Sequence, residues 1–187
     1  LNPGDEVLLP APYWVSYYEI VKLAEATPIV VSTSVDEDFK VTADQLEALV
    51  TEKTKMLMFS SPCNPSGSVY THKELAGIAG FLKKHPKIVA VSDEIYELIN
   101  FSGSHTSLAS FPEIYDQVVT VNGVSKGFAM TGWRIGYIGA PQWITDGCIK
   151  MQGQFTSAAS GISQKAAQAA VEADPIVAQP MTDEFKK

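Results

Sequence analysis

Lys126 and Arg134 stand eight positions apart in the string Gly123-Val-Ser-Lys-Gly-Phe-Ala-Met-Thr-Gly-Trp-Arg-Ile-Gly136. A lysine just past a buried strand can be held where its amine loses water, which favours the neutral, nucleophilic form. The planar fork of an arginine suits bidentate binding of a phosphate. A Schiff-base lysine and a phosphate clamp are what pyridoxal phosphate requires. Taken singly, a loop lysine is most often a solvated surface residue and an arginine an ion-pair partner. The weight therefore rests on the whole string and on two further polar clusters, Asn64-Pro65-Ser66-Gly67 and Asp93-Glu94-Ile95-Tyr96.

The elements that must position these groups are readable from apolar periodicity. Strands are predicted at 5–10, 28–33, 55–60, 87–92 and 117–122, with one more at 134–139 (RIGYIG). Tyr13 to Glu25 reads as an amphipathic helix with Tyr17, Ile20, Val21 and Ala24 on one side. Further helices begin at Thr42 and Thr71, each with a polar cap and a Gln or Glu three residues on, and others fill 141–153 and 160–173. Near-continuous apolar strands alternating with helices indicate an α/β fold, a mainly parallel sheet with helices on both faces. In such sheets the chemistry sits beyond the carboxyl ends of the strands. The three polar clusters follow the strands ending at 60, 92 and 122, so they are expected to share one site.

Composition narrows the classes. The 187 residues carry 14 Lys+Arg against 21 Asp+Glu, a net charge of −7. That balance, with scattered basic residues, argues against a nucleic-acid surface. No stretch approaches the roughly 18 consecutive apolar residues of a membrane helix. The two cysteines, Cys63 and Cys148, are far apart and share no ligand-type spacing with the histidines at 72, 85 and 105. No disulfide scaffold and no metal site is expected, and a cytoplasmic setting is. Asn100-Phe101-Ser102 then matches a glycosylation acceptor only by chance. The run IVAVSDE looks like part of a nucleotide hydrolase, but the Gly-rich phosphate loop such an enzyme needs is absent.

The string from Gly123 to Gly136 resembles the cofactor-attachment motif of class I/II aminotransferases, the fold type I pyridoxal-phosphate enzymes. LNPGDEVLLPAPYWVSY at the start, the Asn-Pro-Ser-Gly turn, SDEIY and SKGFAMTGWRIGY occur in that family's order along nearly the whole chain. The bacterial aspartate aminotransferase subgroup is the most similar. The one mild departure is Ser66, where the family more often has Thr.

The resemblance implies a role for each residue. Lys126 would hold the cofactor covalently and, once released, shuttle the proton. Asp93 would pair with the pyridine nitrogen, while Tyr96 and Asn64 would donate to the phenolic oxygen. Trp14 would stack on the ring. Arg134 would bind the phosphate, assisted by Ser125. It further implies transamination between an L-amino acid and a 2-oxo acid, aspartate with 2-oxoglutarate being favoured, and a homodimer. A C–S lyase of the same cofactor family, or the aminotransferase-like sensor domain of a transcriptional regulator, are the alternatives. By motif order, residues 1–187 correspond to the central part of the cofactor-binding large domain, without its N-terminal phosphate loop or the small C-terminal domain. A piece of that extent is expected to be catalytically weak alone.

Overall fold

Ile29, Leu8, Leu57, Ala90 and Val118 form one row across five neighbouring strands, each residue in register with the next. The row explains the sheet. β-branched and other apolar residues alternate along each strand, and odd and even positions face opposite sides. A computed structural model describes residues 1–186; Lys187 lies outside the described residues. The strands are β1 (Glu6–Pro10), β2 (Thr27–Val31), β3 (Thr54–Ser60), β4 (Val89–Asp93), β5 (Val118–Gly123) and β6 (Gly136–Gly139). Their order is β2-β1-β3-β4-β5-β6. The first five run parallel, and β6 closes the edge antiparallel to β5.

One face of the sheet is covered by α2 (Ala43–Glu47), α3 (His72–Lys84) and the turns through Leu108, Phe111 and Ile114, which enclose the larger core cluster. The opposite face carries a smaller cluster in which Val7, Leu9 and Met58 meet Tyr17 and Val21 of α1 (Ser16–Leu23). The capping signals at Thr42 and Thr71 are both realised. Each threonine side chain accepts from the backbone N–H three residues on, and Gln45 and Glu74 reach back to the cap residue.

Helix α1 is shorter than the 13–25 predicted. Residues 11–15, with Pro12 and Trp14, form an irregular bend after β1, and the first α1 bond runs from the Tyr17 N–H to the Trp14 carbonyl at 2.9 Å. At the other end Glu25 takes a left-handed φ of 58°. The helix meets the sheet along the single line Tyr17–Val21, so Ile20 and Ala24 are exposed rather than buried. After Arg134 come β6, α4 (Gln142–Phe155), α5 (Gly161–Glu172) and α6 (Gln179–Glu184). All four β6 residues are exposed, and α4 buries none of its residues. No helix among the described residues is long and apolar enough to cross a membrane.

Candidate active site

Strands β3, β4 and β5 end side by side, and the chain beyond each contributes to one cavity of about 400 Å³. Trp14, Asn64, Asp93, Tyr96, Ser125, Lys126 and Arg134 all line it. The structure therefore brings together every residue singled out from sequence. Asn64 is held by a tight loop in which Gly67, at φ 75°, donates its N–H to the Cys63 carbonyl at 2.8 Å. Only glycine takes that backbone conformation without steric cost.

Asp93 is the last residue of β4. Its Oδ1 accepts from the Ile95 N–H at 3.1 Å, and its Oδ2 accepts from the Tyr17 hydroxyl at 2.5 Å. Tyr17 is buried. Burial, reinforced by the neighbouring Asp93 charge, pushes its phenol well above the ordinary tyrosine range, so the group stays a donor. Trp14 meets Tyr17 edge-on, with ring centroids 5.7 Å apart. The sequence reading assigned Tyr17 only to the packing face of α1. The signal available was its place three residues after Trp14, one helical turn along the same side.

Lys126 follows β5 in a turn closed by the Ala129 N–H donating to the Lys126 carbonyl at 3.0 Å. Its Nζ lies 5.6 Å from the centre of the Tyr96 ring, a cation–π contact. The side chain is exposed, which corrects the expectation that it would be withdrawn from water. It follows β5, whose outer edge carries only the exposed strand β6. Arg134 ends a short helical turn at a left-handed φ of 54°, and its Nη1 donates to the Thr131 carbonyl at 2.9 Å. Thr131 Oγ1 in turn donates to the Ser125 carbonyl at 3.0 Å, tying the arginine turn to the lysine turn.

Glu94, next to Asp93, is buried in the protein and does not line the cavity. Its Oε1 accepts from the Ser92 and Ser107 hydroxyls at 2.9 and 3.0 Å and from the Leu108 N–H at 3.3 Å. Its Oε2 lies 2.9 Å from His105 Nε2. These bonds satisfy a carboxylate that would otherwise be costly to bury and anchor the end of β4. Glu97 joins the pair, with one donor atom from each of the three within 4.8 Å of the others, a grouping that sequence spacing did not reveal.

The lining suits a phosphorylated pyridine aldehyde. It offers an amine, a guanidinium, an anchored carboxylate and an aromatic face, and Ser60 Oγ on the same lining is buried without a hydrogen-bond partner among the described residues. The family model for aminotransferase class I and II matches residues 1–187. The chain belongs to this family. An aminotransferase of Petunia hybrida, bifunctional for aspartate and for glutamate/aspartate-prephenate, is 54% identical over 91% of the chain and 36% of its own length. The aspartate/prephenate aminotransferase of Nitrosomonas europaea is 44% identical over 100% of the chain and 48% of its own length.

Among solved structures, the aspartate aminotransferase of Rhizobium meliloti superposes with a TM-score of 0.96 at 38% identity, over 100% of this chain and 47% of that one. The aromatic aminotransferase of Pyrococcus horikoshii gives 0.94 at 39% identity, over 100% and 50%. This aminotransferase chain thus spans about half the length, or less, of the relatives it matches. Class I and II aminotransferases in general depend on pyridoxal phosphate, act on amino and oxo acids, and are dimeric.

Proposed function

We propose that this chain carries the cofactor-binding and proton-moving groups of a pyridoxal-phosphate-dependent transaminase. Its substrates are an L-amino acid, with aspartate favoured, and 2-oxoglutarate. The observation that carries the reading is the convergence of Lys126, Asp93 and Arg134 on one cavity at the carboxyl ends of parallel strands. The names of the Petunia and Nitrosomonas relatives support aspartate as the amino donor. When bound, the cofactor supplies an aldehyde that condenses with amines and a ring that accepts electrons from the substrate Cα.

The remaining steps belong to side chains. Lys126 would hold the cofactor through Nζ, and its amine, when free, would move the substrate Cα proton. Asp93 holds a proton on the ring nitrogen, its own orientation set by the bond from the Ile95 N–H. Tyr96 and Asn64 donate at the phenolic oxygen. Trp14 would offer its face to the ring, and Arg134 and Ser125 would hold the phosphate. Residues 1–187 form the central part of the large domain in this reading. Further phosphate donors and the arginine that grips the substrate carboxylate come from sequence outside them, in a homodimer.

Borohydride treatment of the cofactor-loaded protein tests the assignment. The label is expected on Lys126, and Lys126→Ala is expected to abolish both label and turnover; label on another lysine overturns it. Offering amino acids with 2-oxoglutarate should release glutamate. Ammonia and pyruvate would mark a C–S lyase instead.

A further inference from the structure

Leu98, Gly127 and Thr182 do not line the cavity, yet they tie the turn that carries Tyr96 to the turn that carries Lys126. We infer that these three are positioning residues that set the Lys126 amine against the Tyr96 ring. Leu98 is the contact surface, Gly127 the space for it, and Thr182 of α6 its anchor. The inference rests on the proposed function, because it concerns where the attachment lysine stands. The Tyr96 turn is held by its own backbone, with the Glu97 N–H donating to the Glu94 carbonyl at 2.9 Å and the Ile99 N–H to the Tyr96 carbonyl at 2.8 Å. Gly127, beside Lys126, is buried. A Cβ there would stand 2.8 Å from both Cβ and Cδ1 of Leu98 and 3.1 Å from its Cγ. Carbons in contact normally sit about 3.5–4.0 Å apart. The two turns therefore meet through bare glycine backbone, and a side chain at 127 would drive Lys126 away from Tyr96.

The backbone of Leu98 is fixed in turn by a segment 84 positions away. Thr182 Oγ1 donates to the Leu98 carbonyl at 2.8 Å. Thr182 and, four residues earlier, Ala178 are buried, so this bond is made out of water. Lys186 Nζ lies 5.6 Å from the centre of the Phe101 ring, a second tie between the same two segments. Lys126 needs such ties because its side chain is exposed, so no covering layer holds it. Its 5.6 Å approach to the Tyr96 ring is set by how its own turn is seated. Seating matters to chemistry, since a misplacement of about 1 Å at a reacting group can cost roughly a hundredfold in rate.

The test adds pyridoxal phosphate to cofactor-free protein and follows the rate at which the Lys126 amine condenses with the aldehyde, with loss of water. Borohydride reduces the C=N bond at each time point so that the adduct can be counted, and kcat and KM are measured on the loaded protein. Gly127→Ala should slow condensation and lower kcat by roughly ten- to a hundredfold, with little change in KM for the amino acid. Thr182→Val removes the donor and keeps the shape, and should slow both by about three- to tenfold; Thr182→Ser should restore the rate. Leu98→Gly deletes all three atoms that a Cβ at 127 would meet. In that background Gly127→Ala and Thr182→Val should each lose most of their effect, because both act through the same side chain. A merely structural role would lower the denaturant midpoint without changing the condensation rate of folded protein. If Gly127→Ala or Leu98→Gly fails to fold, the Thr182→Val and Thr182→Ser pair decides alone, by slowing and rescue. Rates at Lys126 that ignore these substitutions, or fall equally with and without the Leu98 side chain, overturn the inference and leave the proposed function standing. Absence of any trapped adduct on Lys126 in the unsubstituted protein overturns both.

Discussion

Helices α3 and α4 are nearly equal in length, 13 and 14 residues, and both carry large apolar side chains. They differ in what lies opposite. Leu75, Ile78, Phe81 and Leu82 of α3 are all at most 1% exposed against β1, β3 and β4. Trp143, Ile149 and Phe155 of α4 are 66%, 63% and 81% exposed, and Ile162 of α5 is 83% exposed. An apolar stripe in a sequence therefore records that a helix wants a partner surface, not that its own chain supplies one. The candidate site lies on the border between the two regions. Asp93 and Tyr17 come from the packed side and are tightly bonded, whereas Lys126 and Arg134 come from the open side and are exposed.

The comparison is sharpest at Phe81. Truncation to Ala removes buried contacts on a face with no slack, and a cost of about 3–5 kcal/mol is expected. With total stabilities of only about 5–15 kcal/mol, that loss should show as a large fall in the denaturant midpoint with little change of slope. A cost near zero would mean that the two regions do not differ in packing. The border comes next. A Cβ on Gly123 would stand 2.9 Å from the Ile135 carbonyl oxygen and 3.0 Å from the Gly136 Cα, both backbone atoms that cannot swing aside. Gly123→Ala should cost about 1–3 kcal/mol by overpacking. It should also push β6 and Arg134 from their places, so pyridoxal phosphate should bind more weakly. Unchanged affinity in a folded Gly123→Ala protein would separate β6 from the site.

Much of this layout was legible in advance, for a physical reason. Parallel strands buried on both faces write continuous apolar runs such as KMLMFS and KIVAVS, and capping threonines mark helix starts on their own. Strand ends then point to a common edge, which is why the three polar clusters could be expected on one cavity; Trp14 was named only from the family resemblance, and it lines the same cavity. Contacts between distant segments left no such trace. The Tyr17–Asp93 bond and the Glu94–His105 contact depend on how α1 and the 94–107 segment settle on the sheet, which no local spacing encodes. The exposure of Lys126 was missed for the same reason: withdrawal from water depends on what packs over a residue, not on the strand before it.

A smaller effect probes the packed side through its cap. Burial alone would raise the Glu74 carboxyl, but the Thr71 N–H and hydroxyl, with Lys40, outweigh it and hold it below the ordinary value of 4.5. A lowered folded value means stability that is fully present above the ordinary value and lost as pH falls through the folded one. Thr71→Ala should cost about 1 kcal/mol at neutral pH. The gap between the two proteins should narrow in acid, once Glu74 is protonated in both. A gap that widens as pH falls contradicts the assigned direction.

Phe155 should give the smallest change of all. Its ring is 81% exposed at the end of α4, so Phe155→Ala removes almost no buried area from this chain. The cost should stay within about 0.5 kcal/mol, the range of ordinary surface substitutions. The same substitution at Phe81 is expected to cost several times more, although residue, replacement and secondary structure are alike. Only the opposing surface differs, so the ratio of the two costs measures the contrast directly. Exposed apolar side chains also bind hydrophobic dyes, and dye fluorescence should fall in Phe155→Ala while remaining unchanged in Thr71→Ala. A penalty at Phe155 approaching that at Phe81 would show that the chain covers α4 in solution, and the open region would then be as closed as the other.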